Sequence, residues 1–186
     1  MNAQDIEIQE LALKDAFLIK PKVSLDARGA FTKVYTEELL ARKGIKPYFC
    51  EEYLTFSKKN VLRGMHYQSG EFAQAKLVKC IKGEIFDAIV DLRRSAPTFG
   101  RWEGIRLSEK NMLSVYVPRG FAHGFLALTD ESAVLYKADN KYAPEKECGI
   151  AYNDSRIGID WPKKTELVIS EKDRKWPSFE NCQKFE

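Results

Sequence analysis

Histidine is almost missing from this 186-residue chain: His66 and His123 are the two it has. A centre that needs three or four imidazoles therefore cannot be built from one copy. Cysteine is sparse as well. Cys50, Cys80, Cys148 and Cys182 lie far apart with no C-x-x-C pair, so neither a zinc ribbon nor a thioredoxin-like motif is supported, and the four read as reduced, idle thiols. No segment approaches the roughly 18 uninterrupted apolar residues of a membrane helix. The first 25 residues carry acids where a signal peptide has a bare apolar core, which points to a cytoplasmic protein. Charge of one sign is also lacking: 30 basic side chains meet 27 acidic ones for a net +3. With acids interleaved through the basic stretches, no field arises of the kind that draws nucleic acid, although a local anion site remains open.

What is present is an ordinary globular composition, 44% apolar and 12% aromatic, at a length that buries a core without staples. No repeat, low-complexity tract or linker divides the chain, and its seven prolines sit where turns are expected, so a single domain over residues 1–186 is expected. The tail after Asp173, residues 174–186, has no assignable pattern. One short helix is expected: Thr36 caps it, Glu37 and Glu38 suit its first turn, Arg42 and Lys43 its last, and Gly44 stops it. Elsewhere the pattern is strand-like. From Lys76 to Leu92, β-branched and aromatic residues flank Lys82-Gly83, and Phe86, Ala88, Val90 and Leu92 share a face at period two, which predicts a hairpin. Short strands are expected at Trp102 to Leu107, Leu113 to Val117, Phe125 to Leu128, Ala133 to Ala138 and Leu167 to Ser170, with turns at Arg94-Ser95-Ala96-Pro97 and Pro118-Arg119-Gly120. Many short strands with little helical periodicity predict an all-β antiparallel sandwich or barrel.

Both histidines keep unusual company: His66 lies in Val61-Leu62-Arg63-Gly64-Met65-His66-Tyr67-Gln68, and His123 in Pro118-Arg119-Gly120-Phe121-Ala122-His123-Gly124-Phe125. Taken alone, each reads as a hydrogen-bonded structural histidine. The spacing P-x-G-x-x-H ending at His123 matches the second motif of cupins, small jelly-roll barrels with a site in the barrel mouth. A metal-binding cupin would pair it with H-x-H, but the residue two after His66 is Gln68. No metal and no cofactor are expected, and any catalysis falls to side-chain acids and bases.

Further segments extend the match along the chain: Asp26-Ala27-Arg28-Gly29, Ala75 to Asp87, Val90 to Gly100, Tyr136-Lys137, Tyr142-Ala143-Pro144, Ile157 to Pro162 and Ser170-Glu171-Lys172-Asp173. With these in order, the sequence resembles the dTDP-4-dehydrorhamnose 3,5-epimerases over nearly its whole length. The resemblance implies a cupin jelly-roll and an isomerase that inverts C3, C5 or both of a nucleotide-linked 4-keto-6-deoxyhexose. It also implies a homodimer in which each site is shared across the interface.

Carried over to this chain, the resemblance makes His66 the general base beside the C4 ketone and Asp173 its partner, a carboxylate that fixes the tautomer and stabilises the imidazolium. Tyr136 becomes the acid on the opposite face of the sugar. Lys76 becomes the cation beside the ketone oxygen, where it would stabilise an enolate. A lysine on the Lys76, Val78, Cys80 side of its strand is costly to bury without an anion, which also favours a site. Arg63 and His123 become substrate contacts, Arg28 reaches the ligand from the other chain, and Glu147 and Lys172 bind substrate. Alone, Asp173 reads as a surface acid, Tyr136 as a core or rim aromatic and the Arg28 segment as a polar turn.

Two departures from the family pattern fall at substrate-binding positions. Lys33 stands where a glutamate is usual, and Glu51-Glu52-Tyr53 replaces Gln-Asp-Asn. Such exchanges alter the hydrogen-bond pattern offered to the nucleotide, so a nucleotide other than dTDP is one expectation. Three other functions stay open: a 3,4-ketoisomerase on the same substrates, a non-catalytic sugar-nucleotide-binding cupin and, against the histidine count, a metal-dependent dioxygenase.

Overall fold

A computed structural model describes residues 6–45 and 48–186. Within them the chain forms strands β1 (Ile6–Glu10), β2 (Phe17–Pro21), β3 (Val23–Asp26) and β4 (Gly29–Thr32), helix α1 (Glu37–Ala41), then β5 (Glu51–Ser57), β6 (Leu62–Gln68), β7 (Lys76–Lys82), β8 (Glu84–Asp91), β9 (Trp102–Ser108), β10 (Ser114–Val117), β11 (Phe121–Ala127), β12 (Ser132–Ala138) and β13 (Glu147–Gly149). A six-stranded sheet runs β1-β2-β10-β7-β12-β5, a five-stranded sheet runs β13-β6-β11-β8-β9, and β3 and β4 form a separate ribbon. All strand pairs are antiparallel. Among the described residues no helix is long and apolar enough to cross a membrane.

Alternation along the strands explains why the two sheets face each other. Val78 and Cys80 of β7, Val115 and Val117 of β10 and Val134 of β12 point inward and meet Ile85 and Ile89 of β8, Leu107 of β9 and Phe125 of β11. Fully burying each such side chain contributes about 1.5–3 kcal/mol. The other face of each sheet is covered in part. Leu39 and Leu40 of α1 lie on Leu77 and Tyr116 of the six-stranded sheet. The helix has the expected cap, the Thr36 hydroxyl accepting the Leu39 N–H at 3.2 Å.

The segment from Lys76 to Leu92 departs from the expected hairpin. Its two strands do not pair: β7 lies between β10 and β12, whereas β8 lies between β11 and β9 in the opposite sheet. Both strands bury apolar side chains on both faces, Leu77 opposite Val78 and Cys80 on β7 and Ile85 and Ile89 opposite Ala88 and Val90 on β8, and such strands fit sheet interiors better than a two-stranded pair. Gly83 turns the corner between sheets at φ +72, where a Cβ would fall 2.3 Å from the Glu131 carbonyl oxygen. Ala88, Val90 and Leu92 do share a face, but it is the outer one. The C-terminal segment covers it through Ile157, Trp161, Ile169, Phe179 and Cys182. The tail without a sequence pattern is thus an irregular apolar cover. The strand expected at Leu167 to Ser170 reduces to a bridge between Val168 and Val61.

Candidate active site

The inward positions of β7, β12 and β5 form steps down one wall of the sandwich. Lys76, Ala138 and Glu51 stand side by side at the rim, Val78, Tyr136 and Tyr53 one step deeper, and Cys80, Val134 and Thr55 deeper again. The small Ala138 leaves space between Lys76 and Glu51. Below it the rings of Tyr53 and Tyr136 stack, with centroids 4.8 Å apart and planes 12° from parallel. Lys76 has no ion-pair partner within reach among the described residues.

On the opposite wall the two histidines are cross-strand neighbours, His66 on β6 against His123 on β11. The strands approach closely here because both carry glycine: a Cβ on Gly64 would fall 2.6 Å from the Gly124 Cα. His66 Nε2 meets Asp173 Oδ1 at 2.8 Å, and the same carboxylate accepts the Gly64 N–H at 3.3 Å. A carboxylate only accepts, so Nε2 carries the hydrogen and Nδ1 keeps its lone pair. Trp176 stands edge-on to the His66 ring at 6.0 Å. His123 Nε2 meets the fully buried Asp87 at 2.6 Å, and its ring lies edge-to-face on Tyr136 at 5.8 Å. Between the walls lies a cavity of about 430 Å³ lined by Glu51, Tyr53, His66, Gln68, Gln74, Lys76, Tyr142 and Glu147, among others. A second depression, about 580 Å³, reaches His66 from its other side past Arg63, Lys172 and Asp173.

Residues 10–181 match the sequence profile of dTDP-4-dehydrorhamnose 3,5-epimerase. An enzyme of that name from Methanothermobacter thermautotrophicus is 46% identical over 91% of this chain and 93% of its own. The chain belongs to the dTDP-4-dehydrorhamnose 3,5-epimerase family. The crystal structure of the dTDP-4-dehydrorhamnose 3,5-epimerase from Elizabethkingia anophelis superposes with a TM-score of 0.92 at 41% identity, covering 95% of this chain and 97% of that one. The dTDP-6-deoxy-D-glucose-3,5-epimerase from Legionella pneumophila, solved with dTDP-4-keto-L-rhamnose, superposes at 0.90 with 37% identity, covering 95% and 94%. The family places the all-β sandwich among the cupin-like folds and the chain among isomerases that epimerise carbohydrates.

The electrostatics of the site suit carbon-acid chemistry. Burial pulls the Lys76 ammonium down to about 8, against the opposing pull of Glu147 and Asp87. Burial pushes the Tyr136 phenol well above its ordinary value, with Asp87 and Tyr53 adding to the effect, so it is held as a neutral proton donor. Tyr53 is pushed up to about 12 by burial and by the negative charges of Glu51 and Glu147. Burial would raise the Asp173 carboxyl too, but the bonds to His66, the Gly64 N–H and Ser170 outweigh it and keep the group ionised. Glu147 is likewise held below the usual range. Burial opposes this, but Lys172 Nζ lies 2.8 Å from both its oxygens and the Tyr142 hydroxyl donates to it at 2.7 Å.

Not every residue singled out from the sequence meets at this cavity. His66, Asp173, Lys76, Tyr53, Glu51, Glu147, Lys172 and Arg63 line it or the adjoining depression, and Tyr136 and His123 lie buried behind that lining, Tyr136 against the ring of Tyr53 and His123 against Tyr136. Arg63 is held by the Ser57 hydroxyl at 3.0 Å and the Phe56 carbonyl at 3.1 Å. Glu52 points the other way, because alternation on β5 turns it to the outer face, where it pairs with Lys137. Lys33, just beyond the ribbon, lines neither depression. Arg28 sits in the exposed turn of the ribbon and bonds to Asp26 at 2.6 Å. Sequence reasoning missed Asp87, Gln68, Gln74, Tyr142 and Trp176. Asp87 left a signal: it is a carboxylate set among Ile85, Phe86, Ala88, Ile89 and Val90, an expensive placement without a partner.

Proposed function

We propose that this chain is an epimerase of nucleotide-linked 4-keto-6-deoxyhexoses that inverts C3, C5 or both through an enolate. The setting would be cytoplasmic synthesis of a deoxysugar such as dTDP-L-rhamnose for a surface polysaccharide such as lipopolysaccharide. The observation that carries this reading is His66, paired with Asp173, at one wall of a cavity, with Lys76 and Tyr53 on the wall facing it and Tyr136 packed directly behind Tyr53. His66 Nδ1 takes the proton next to the ketone, and the C–H electron pair moves onto the ketone oxygen. Lys76 stabilises that oxygen as it becomes negative. Tyr136 then gives its proton to the other face of the same carbon, the electron pair returns from the oxygen, and the configuration is inverted. Solvent reprotonates the tyrosinate and removes the proton from the imidazolium, so no net charge or electron is transferred.

Arg63, His123, Glu147 and Lys172 would hold the substrate. Glu51 and Tyr53 stand where the family carries amides, so nucleotide choice needs its own test. Product NMR after incubation with dTDP-, CDP- and GDP-linked 4-keto-6-deoxyglucose is expected to show an inverted ring carbon with one of the three. Tight binding without turnover, or a 3-keto product, would overturn the reading in favour of a binding protein or a ketoisomerase.

The same reading includes a homodimer. The β3–β4 ribbon exposes Leu25 (79%) and Phe31 (53%), and β5, an edge strand, exposes Leu54 and Phe56 (70%) on its outer face. Apolar side chains on an open edge call for cover. A second copy crossing there would bring Arg28, at the ribbon turn, toward a neighbouring cavity. Light scattering is expected to give a mass near twice 21.4 kDa, and a monomer would contradict this part of the proposal.

A further inference from the structure

Tyr53 lines the cavity but takes no part in the proton transfers proposed above. It lies directly across the strand from Tyr136, and the two phenol rings stack nearly parallel at 4.8 Å. Tyr136 is 5% exposed, whereas Tyr53 lines the cavity and is 37% exposed. Tyr136 is thus held from two directions, face-on by Tyr53 and edge-on by His123 at 5.8 Å. A tyrosine side chain turns about two bonds, and contacts at right angles restrict both.

We infer that Tyr53 is a positioning residue: its ring fixes the Tyr136 phenol in the orientation that returns a proton to the sugar and shields that phenol from water. The inference rests on the epimerase reading above. It assigns the ring of Tyr53 and not its hydroxyl, because the stacked contact is made by the ring faces. It also separates the two halves of the reaction. Proton removal by His66 on the far wall does not involve Tyr53, but return of a proton on the opposite face does. Without the ring, Tyr136 gains freedom and water gains access. The enolate would then often be reprotonated on the face it came from, giving exchange without inversion.

The test is to follow wild type, Tyr53→Phe, Tyr53→Leu and Tyr53→Ala in D₂O with the accepted 4-keto sugar nucleotide. Two quantities are read: deuterium in recovered substrate of unchanged configuration, and deuterium in the epimer. A catalytic group misplaced by about 1 Å loses on the order of 100-fold in rate, so the ratio of epimer to exchanged substrate should fall roughly 10- to 100-fold in the Leu and Ala variants. Exchange itself should persist in them, which also shows that they fold and bind. Tyr53→Phe should keep the wild-type ratio. An unchanged ratio in Leu and Ala, loss of exchange in step with inversion, or a Phe variant as defective as Ala would each overturn the inference. Failure of the epimerase reading looks different, since wild type itself would then incorporate no deuterium.

Discussion

Replacing Asp173 by asparagine tests the machinery at its most constrained point. Asp173 is 4% exposed and accepts from His66 Nε2 at 2.8 Å and from the Gly64 N–H at 3.3 Å. The amide oxygen can still accept from Gly64, so the local fold has a route to survive. The hydrogen bond to His66 is different, because it involves an ionised acceptor and a ring that becomes cationic during the reaction. Such bonds are worth about 1.5–3 kcal/mol, which is roughly 10- to 150-fold in rate. Asparagine can also offer its NH₂ to Nε2, placing the ring hydrogen on Nδ1 and removing the lone pair that takes the substrate proton. Asp173→Asn should therefore lower kcat at least 10-fold while KM moves by no more than about threefold, the signature of a contact made in the transition state. Initial rates by product NMR, with a melting curve as the control for folding, decide the matter. An intact variant with kcat close to wild type would refute the assignment of Asp173 as the partner of the base.

Two further outcomes follow from the same geometry. Because burial lowers Lys76 to about 8, its cation is present below that pH and lost above it, so kcat/KM, which reports the free enzyme, should fall as pH rises past about 8. Lys76→Met should remove that limb along with most of the activity, and an unchanged alkaline limb would contradict the role. Away from the site, Arg93 donates to the fully buried Asp91 at 2.9 Å, to Asp15 at 2.8 Å and to the Lys14 carbonyl at 2.8 Å. Arg93→Met would strand the Asp91 carboxylate at a cost of about 3 kcal/mol. At roughly 2–4 °C per kcal/mol for a chain of this size, Tm should drop by about 6–12 °C, and a shift under about 2 °C would show that the network is not needed.

The sequence made the strands legible where one face is apolar and the turns are marked. Ser114–Val117 and Ser132–Ala138 are close to the runs expected, and the Thr36 cap is the one observed. It misled where local pattern and long-range pairing part company. Lys82-Gly83 has the chemistry of a hairpin turn, but which sheet a strand joins depends on neighbours far along the chain, and β7 finds β10 and β12 instead of β8. The tail is unreadable for a related reason. Phe179 and Cys182 are buried by a sheet surface that the local sequence does not contain, with no periodicity to announce it. Among the candidate site residues, Lys76 stands out by the cost of burying it in its strand, whereas His66 alone reads as a structural histidine. Asp173 and Tyr136 needed the family resemblance, because His66 and Asp173 are 107 positions apart with no sign in the sequence that the two will touch. Tyr53, read only as a departure from the family, gained a specific position once its stacking on Tyr136 was seen.

The central claim is that His66 removes a carbon-bound proton next to a sugar ketone. Its most direct test is mass and NMR analysis of dTDP-4-keto-6-deoxyglucose, or whichever of the three nucleotides is accepted, after incubation in D₂O with wild type and with His66→Ala. Wild type should place deuterium at C3, at C5 or at both and yield the epimer, while His66→Ala should do neither. Absence of deuterium with wild type on all three nucleotides, or undiminished exchange in His66→Ala, would contradict the claim.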